Sequence, residues 1–208
     1  MKRLIFKNNF MKLLLTSDGM TSRKIVDFFI SQFDTLKDKK VCLIHTIRDE
    51  SDWQWMDYYR KELGEIGLKH DEINISEEKD LSSLMEYDVY YVCGGNTFYI
   101  LDRMRKTGLD KVLISAVKGG KFYIGVSAGS IIAGPDIEAA GIGNADINDV
   151  DLIDLTGLGL TSYIITPHYS AEEEKNVQEF KEKRKEESVI ALTDKQAVFI
   201  EDEKVILI

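Results

Sequence analysis

The sequence has little of what several large classes of protein require. It has no apolar run near the roughly 18 residues of a membrane-spanning helix, and no Pro- or Ser-rich linker. Its formal net charge of −9 argues against a basic surface that binds nucleic-acid phosphates. Its glycines lack the G-x-G-x-x-G and G-x-x-x-x-G-K-[ST] spacings of phosphate-binding loops. We therefore expect one domain over residues 1–208, a monomer or homodimer without nucleic-acid or membrane partners.

Cysteine is scarce, with only two residues in the chain. Cys42 and Cys93 lie inside apolar runs that are typical of strands, and two buried free thiols are simpler than a disulfide between them. The basic and apolar N-terminus resembles a signal peptide, but Lys7 and Asn8 interrupt its apolar run. The sequence thus predicts a cytoplasmic protein.

Apolar runs alternate with amphipathic stretches along the chain. KVCLIHTI (40–47) and KFYIGV (121–126) predict strands, whereas the mixed charges of 172–187 predict a solvated helix face. Such alternation indicates βαβ units, and hence a doubly wound three-layer α/β sandwich with a mostly parallel sheet. Ligands of these folds bind outside the carboxyl ends of the strands, so polar residues there are the candidates for function.

One predicted strand runs directly into small residues around a serine. GVSAG (125–129) fits the G-x-S-x-G nucleophile elbow and has the required strand before it and helix after it. Gly125 and Gly129 leave room for a sharp turn that exposes the Ser127 hydroxyl. The alternative is a structural serine that caps a short helix, with glycines that ease packing.

A catalytic serine needs a base, and the chain has only three histidines. His168 follows Pro167 directly after an apolar run, a position that suits a base of fixed orientation. His45, near the end of another strand, could face the same edge of the sheet. His70 lies in a polar stretch typical of the surface. His168 could also simply satisfy loop carbonyls.

CGGNTF (93–98) also ends a predicted strand. Gly94 and Gly95 would let a backbone N–H approach a bound carbonyl closely, and Asn96 or Thr97 would cap the next helix. A plain glycine turn is the alternative. Cys93 is a less favoured nucleophile because it precedes the turn, inside the apolar run.

Together, GVSAGS (125–130), CGGNTF (93–98) and PHY (167–169) resemble the peptidase E family of cytoplasmic aspartyl dipeptidases, which is related to the cyanophycinases. The resemblance extends from MKLLLTSDG to LTDKQAVFI, nearly the whole chain. It implies a fold like that of the class I glutamine amidotransferases, with serine in place of their cysteine.

The resemblance also implies roles for individual residues. Ser127 would be the nucleophile, His168 the base, and the backbone amides of Gly95 and Ala128 the oxyanion hole. Neither a metal ion nor a nucleotide cofactor is expected.

The acid that orients the histidine is less clearly marked. The family carries Glu in a late L-P-E-G segment, where this chain has LTDK (192–195) with the shorter Asp194. Asp146, after the nucleophile helix, is the competing acid. We favour Asp194.

Substrate preference does not carry over from the family. Aspartyl dipeptidases of this family select an N-terminal aspartate through an arginine in a G-E-T-R-E-type loop, which this chain lacks. Lys175, Lys183 or Arg184 could supply a cation, but their helical spacing predicts surface positions. We expect serine-dependent hydrolysis of small peptides. Another acyl hydrolase, or a catalytically silent protein that binds a small molecule or peptide, is the alternative.

Overall fold

The computed structural model describes residues 10–48, 52–77, 81–184, 189–202 and 204–208. Residues 1–9 of the signal-peptide-like N-terminus and residues 185–187 of the charged stretch lie outside the described residues. Within the described part of the chain, no helix is long and apolar enough to cross a membrane.

Strands and helices alternate through most of the chain, as the apolar pattern predicts. The strands are β1 (Lys12–Thr16), β2 (Val41–His45), β3 (His70–Asn74), β4 (Val89–Val92), β5 (Phe122–Val126), β6 (Ile164–Thr166), β7 (Val189–Ala191), β8 (Ala197–Glu201) and β9 (Lys204–Leu207). The helices are α1 (Arg23–Ser31), α2 (Trp53–Glu65), α3 (Thr97–Thr107), α4 (Leu109–Lys118), α5 (Ala128–Ile132) and α6 (Glu174–Lys183). Short 3₁₀ helices span Ser82–Glu86 and Glu138–Gly141.

Seven strands form the main sheet in the order β3-β2-β4-β5-β1-β8-β9. The strands β1 to β5 pair in parallel, and β8 and β9 are antiparallel additions at one edge. The predicted α/β fold with a mostly parallel sheet is confirmed. The pairing of β6 with β7 in a separate two-stranded parallel sheet is not evident from the sequence. The pattern of apolar residues indicates that a segment forms a strand, but it does not indicate which other strand that segment pairs with.

The main sheet is covered on both faces. Leu13 and Leu15 of β1 pack into one apolar cluster with residues of α3, α4 and α5, whereas Leu14 packs into another with residues of α1 and α2. Successive side chains of a strand point to opposite faces, so a strand buried between two helical layers must be apolar throughout. The three predicted layers follow directly from this.

Helix α3 begins and ends as its sequence indicates. The Asn96 side chain accepts a hydrogen bond from the Tyr99 N–H at 2.9 Å, which confirms the predicted cap. Gly108 has a φ of 80° and ends α3, so the stretch after Asn96 forms two helices rather than one.

A buried carboxylate on α2 holds the loop that follows β1. Glu62 accepts hydrogen bonds from the Met20 N–H at 2.5 Å and from the Tyr91 hydroxyl at 2.6 Å. Burial raises the pKa of Glu62 to about 7, and these two hydrogen bonds oppose the increase only in part. The folded protein therefore retains this proton at pH values where the unfolded chain loses it.

We expect Glu62→Gln to flatten the dependence of stability on pH. Because the pKa of Glu62 is higher in the folded state, its contribution is fully present below about 4.5 and is lost as the pH rises to about 7. That loss amounts to about 3 kcal/mol in the free energy of unfolding. Urea unfolding between pH 4.5 and 7.5 measures it. Exposed Glu182→Gln on α6 is the control, and parallel curves for wild type and Glu62→Gln would contradict the assignment.

Candidate active site

The chain turns sharply between β5 and α5, and Ser127 is the residue at the turn. Its φ of 50° and ψ of −111° are rarely adopted by a residue with a side chain, and such conformations cost about 1–3 kcal/mol. The Ser127 N–H donates to the Thr16 carbonyl at 3.1 Å, which ties the turn to the end of β1. The predicted strand, turn and helix around GVSAG are therefore all present.

The glycines on either side of the turn are required by close backbone contacts. A Cβ on Gly125 would lie 2.6 Å from the carbonyl oxygen of Gly129, and a Cβ on Gly129 would collide with the carbonyl of Val92. Gly94 also lies close, because a Cβ there would be 3.3 Å from that of Ser127. No side chain fits at Gly125 or Gly129 without moving the backbone.

His168 and Asp194 extend from Ser127 in a continuous line of contacts. The Ser127 Oγ lies 2.9 Å from the His168 Nε2, and the His168 Nδ1 lies 2.7 Å from the Asp194 Oδ1. His168 has a φ of 56°, a left-handed conformation in which histidine is enriched. Both distances are those of hydrogen bonds.

The two-stranded sheet explains why His168 and Asp194 meet. Strands β6 and β7 are parallel and in register, with Thr166 opposite Ala191. His168 lies two residues after β6, and Asp194 lies three residues after β7. Because the two strands run in the same direction, both residues lie at the same end of this sheet. The Tyr169 N–H donates a hydrogen bond to the Leu192 carbonyl at 2.9 Å, which joins the segments that follow the two strands.

Ser17, which the sequence did not single out, joins this network. Its hydroxyl donates to the Asp194 Oδ1 at 2.8 Å and accepts from the His168 N–H at 2.7 Å. Ser17 is buried at the end of β1, the strand between β5 and β8. Because β8 runs antiparallel to β1, the turn that carries Asp194 lies at this edge of the sheet. A polar residue at the end of a central strand was the available signal.

The competing acid, Asp146, lies elsewhere. Its carboxylate accepts a hydrogen bond from the Thr97 N–H at 2.8 Å, at the start of α3. Asp146 lines the cleft beside Ser127, but its contacts are with α3 and not with the His168 ring.

The remaining candidates have other surroundings. His45 lies at the end of β2 and lines a cleft beside Ser127, with its Nε2 4.0 Å from Glu72. His70 begins β3, and its Nε2 lies 3.4 Å from the same carboxylate. Cys93 is buried, and burial raises the pKa of its thiol well above the ordinary value, which disfavours a thiolate.

Sequence comparison identifies the family. A sequence model described as peptidase family S51 matches residues 13–208. The chain belongs to peptidase family S51. It is a serine peptidase whose relatives include proteins named peptidase E, as the three sequence motifs indicate.

Two S51 relatives illustrate how far the similarity extends. Uncharacterized peptidase Lmo0363 of Listeria monocytogenes is 29% identical over 200 residues, which cover 93% of this chain and 96% of that protein. Peptidase E of Streptomyces coelicolor is 37% identical over 89 residues, 43% of this chain and 35% of that protein.

Solved structures have the same fold. A Listeria monocytogenes EGD-e protein described as a candidate peptidase E superposes with a TM-score of 0.80 at 28% identity, over 96% of this chain and 98% of that one. A peptidase from an acI-B1 actinobacterium gives a TM-score of 0.69 at 15% identity, over 99% and 90% of the two chains. The expected class I glutamine amidotransferase-like fold is confirmed.

Two clefts flank Ser127 in this S51 peptidase. One, of about 290 Å³, lies between α6 and the loop that carries Asp146. We call it the α6 cleft. The other, of about 280 Å³, lies against α2 and is lined by Asp18, Trp55 and Gly95; we call it the α2 cleft. His168 lines both, so the serine and histidine lie at the junction of the two.

The predicted oxyanion-hole residues lie at this junction. Gly95 lines the α2 cleft and has a φ of 136°, and Ala128 directly follows Ser127. Within the described part of the chain, neither backbone N–H donates a hydrogen bond to protein. Both N–H groups are therefore without a protein acceptor there, as the donors of an oxyanion hole must be.

Negative charge dominates the α2 cleft. Asp18 is half-buried, and burial followed by the charge of Asp194 raises the pKa of its carboxyl, whereas His168 lowers it. Among the described residues, no group of three or more His, Cys, Asp or Glu side chains is arranged to hold a metal ion.

Three cationic residues were candidates for substrate binding, and none of them lines either cleft: Lys175 and Lys183 of α6, and Arg184 directly after it. Lys175 is exposed, with its ammonium 3.8 Å from Glu179. Lys183 lines a separate surface cleft, and the Arg184 guanidinium pairs with the carboxylates of Asp136 and Glu138. The predicted surface placement agrees with the structure for Lys175 and Lys183, whereas the Arg184 side chain is only 14% exposed.

Proposed function

We propose that this S51 peptidase hydrolyses the amide bond of small peptides, chiefly dipeptides, with Ser127 as nucleophile, His168 as general base and Asp194 as the acid that orients His168. The observation that supports it is the unbroken line of contacts from the Ser127 hydroxyl to the Asp194 carboxylate. We further propose that the reaction occurs in the cytoplasm, where the two buried free thiols stay reduced.

The reaction follows from the positions of these groups. The Ser127 hydroxyl gives its proton to the His168 Nε2 as its oxygen attacks the scissile carbonyl, while Asp194 accepts a hydrogen bond from the Nδ1–H. The Gly95 and Ala128 amides stabilise the oxyanion, each worth on the order of a hundredfold in rate. His168 then protonates the leaving amine, and water attacks the acyl-enzyme in the same way.

The dimensions of the clefts support a short substrate. Each has a volume near the lower limit of small-molecule pockets, which is about 300 Å³. The two clefts lie on opposite sides of Ser127, so each suits about one residue beside the scissile bond. This arrangement favours dipeptides over long chains.

A substrate panel combined with covalent labelling tests the proposal. We expect wild type to hydrolyse free dipeptides faster than N-acetylated dipeptides or short-chain esters, and a serine-directed phosphonate to add one adduct, located on Ser127 by mass spectrometry. Ser130→Ala is the matched control, because its buried hydroxyl donates to the carbonyls of Thr16 and Gly125 and should not react.

Other outcomes separate the alternatives. Cleavage of esters but not of dipeptides would indicate a different acyl hydrolase on this fold. Folded protein that binds peptides, but neither turns over any substrate nor takes the label, would indicate a binding protein and contradict the proposal.

A further inference from the structure

The α6 cleft contains negative charge and, among the residues that line it, no lysine or arginine. Asp146 enters from the loop before β6, and Glu173 from the residue that precedes α6. Neither carboxylate lies within 4.0 Å of a cationic group in the described part of the chain. No lysine or arginine that lines the cleft thus balances the negative charge of this wall next to Ser127.

Among the described residues, only one oxygen of each carboxylate accepts a hydrogen bond. The Asp146 Oδ2 accepts from the Thr97 N–H at 2.8 Å, and the Glu173 Oε2 accepts from the Asn176 side chain at 2.9 Å. Their second oxygens accept no hydrogen bond from the described residues. Gly143 makes room for Glu173, because a Cβ there would collide with its carboxylate.

Two buried hydroxyls of the same cleft also lack partners. Thr97 is fully buried and Thr166 is 4% exposed, and neither Oγ1 has a hydrogen-bond partner among the described residues. Both residues line the α6 cleft. Buried polar atoms are almost always paired, with protein or with ordered water, so these two hydroxyls are unused hydrogen-bonding groups in the wall of the cleft.

Apolar side chains complete the cleft. Ile131, Ile142 and Val177 line it together with the two carboxylates. A lysine or arginine side chain has matching chemistry, because its methylene stem packs on apolar surface while its cationic end binds carboxylate and hydroxyl oxygens.

We propose that the α6 cleft binds a basic side chain of the substrate residue beside the scissile bond, so that this peptidase prefers lysine- or arginine-containing dipeptides to acidic ones. Glu173 and Asp146 are the residues that set this preference. The inference rests on the proposed function, because it assigns the substrate of that site.

The test compares kcat/KM for Lys-Leu, Arg-Leu, norleucine-Leu, Asp-Leu, Leu-Lys and Leu-norleucine. Norleucine matches the stem of lysine without its ammonium. We expect wild type to prefer Lys-Leu or Leu-Lys to its norleucine counterpart by about tenfold or more, and the two orders reveal which side of the bond the cleft serves. Asp-Leu should be the poorest substrate.

Variants then assign the preference to its residues. Glu173→Gln should reduce the lysine-to-norleucine ratio about fivefold or more, and Glu173→Lys should favour Asp-Leu. Glu172→Gln is the matched control, because this exposed neighbour does not line the cleft.

The outcomes separate the two proposals. Equal rates for lysine and norleucine dipeptides in wild type, or a basic preference that survives Glu173→Gln combined with Asp146→Asn, would overturn the basic-side-chain assignment alone. Folded wild type that hydrolyses none of the dipeptides would overturn the proposed function, and this inference with it.

Discussion

Ser127→Ala is expected to lower kcat for dipeptide hydrolysis by about 10⁴-fold or more, with a much smaller change in KM. In the proposed reaction the Ser127 hydroxyl supplies the attacking oxygen, and an alanine side chain has no oxygen to replace it. The clefts and backbone amides that would bind the substrate are unaffected by the loss of one oxygen atom. Steady-state kinetics of the purified variant, checked for contaminating peptidase, measure the effect.

Ser130→Ala controls for general damage near the turn. Its hydroxyl donates to the Gly125 and Thr16 carbonyls, each at 2.8 Å, so its loss should cost about 1–3 kcal/mol of stability but less than tenfold in kcat. If Ser127→Ala kept a tenth of wild-type activity, the nucleophile would lie elsewhere.

Asp194→Asn should lower kcat by about 10³- to 10⁴-fold. An amide in place of the carboxylate can donate to the His168 Nδ1, which favours the tautomer with a proton on Nε2 and prevents that atom from accepting the Ser127 proton. The loss should appear in kcat rather than in KM, because in the proposed mechanism Asp194 orients His168 and does not contact the substrate. Kinetics across the pH range, with circular dichroism to confirm folding, test this.

Two further variants separate this role from a structural one. Asp194→Glu keeps the carboxylate and should recover at least tenfold of the activity lost in Asp194→Asn. Asp146→Asn should lower kcat less than tenfold, because that carboxylate contacts the start of α3 and not the His168 ring. A larger loss from Asp146→Asn than from Asp194→Asn would reverse the assignment of the acid.

Short segments of the sequence are sufficient to predict much of the site. Gly125 and Gly129 indicate the turn, because backbone atoms lie too close to both positions for a side chain. Pro167 directly follows the last residue of β6 and indicates the end of that strand. These are local constraints, since each depends on the turn or strand end in which the residue lies. The strand pattern likewise predicts the α/β fold without knowledge of the pairing.

The two features that the sequence left open both depend on distant contacts. The choice of Asp194 over Asp146 follows from the register of β6 with β7, and the two strands are short and separate from the main sheet. Ser17 could not be assigned because its partners follow it by up to 177 positions. The residues near Ser17 and Asp194 in the sequence do not reveal which distant groups these side chains contact.

Local sequence patterns are sufficient to predict the layered fold, the turn at the serine and the candidate histidine. Turn geometry and burial constrain residues that are neighbours in the sequence. Folding in three dimensions determines the rest, namely which carboxylate reaches His168, how Ser17 joins them and why the α6 cleft is acidic. These depend on which strands pair and in which direction, a choice made by packing across the whole molecule rather than by any one segment.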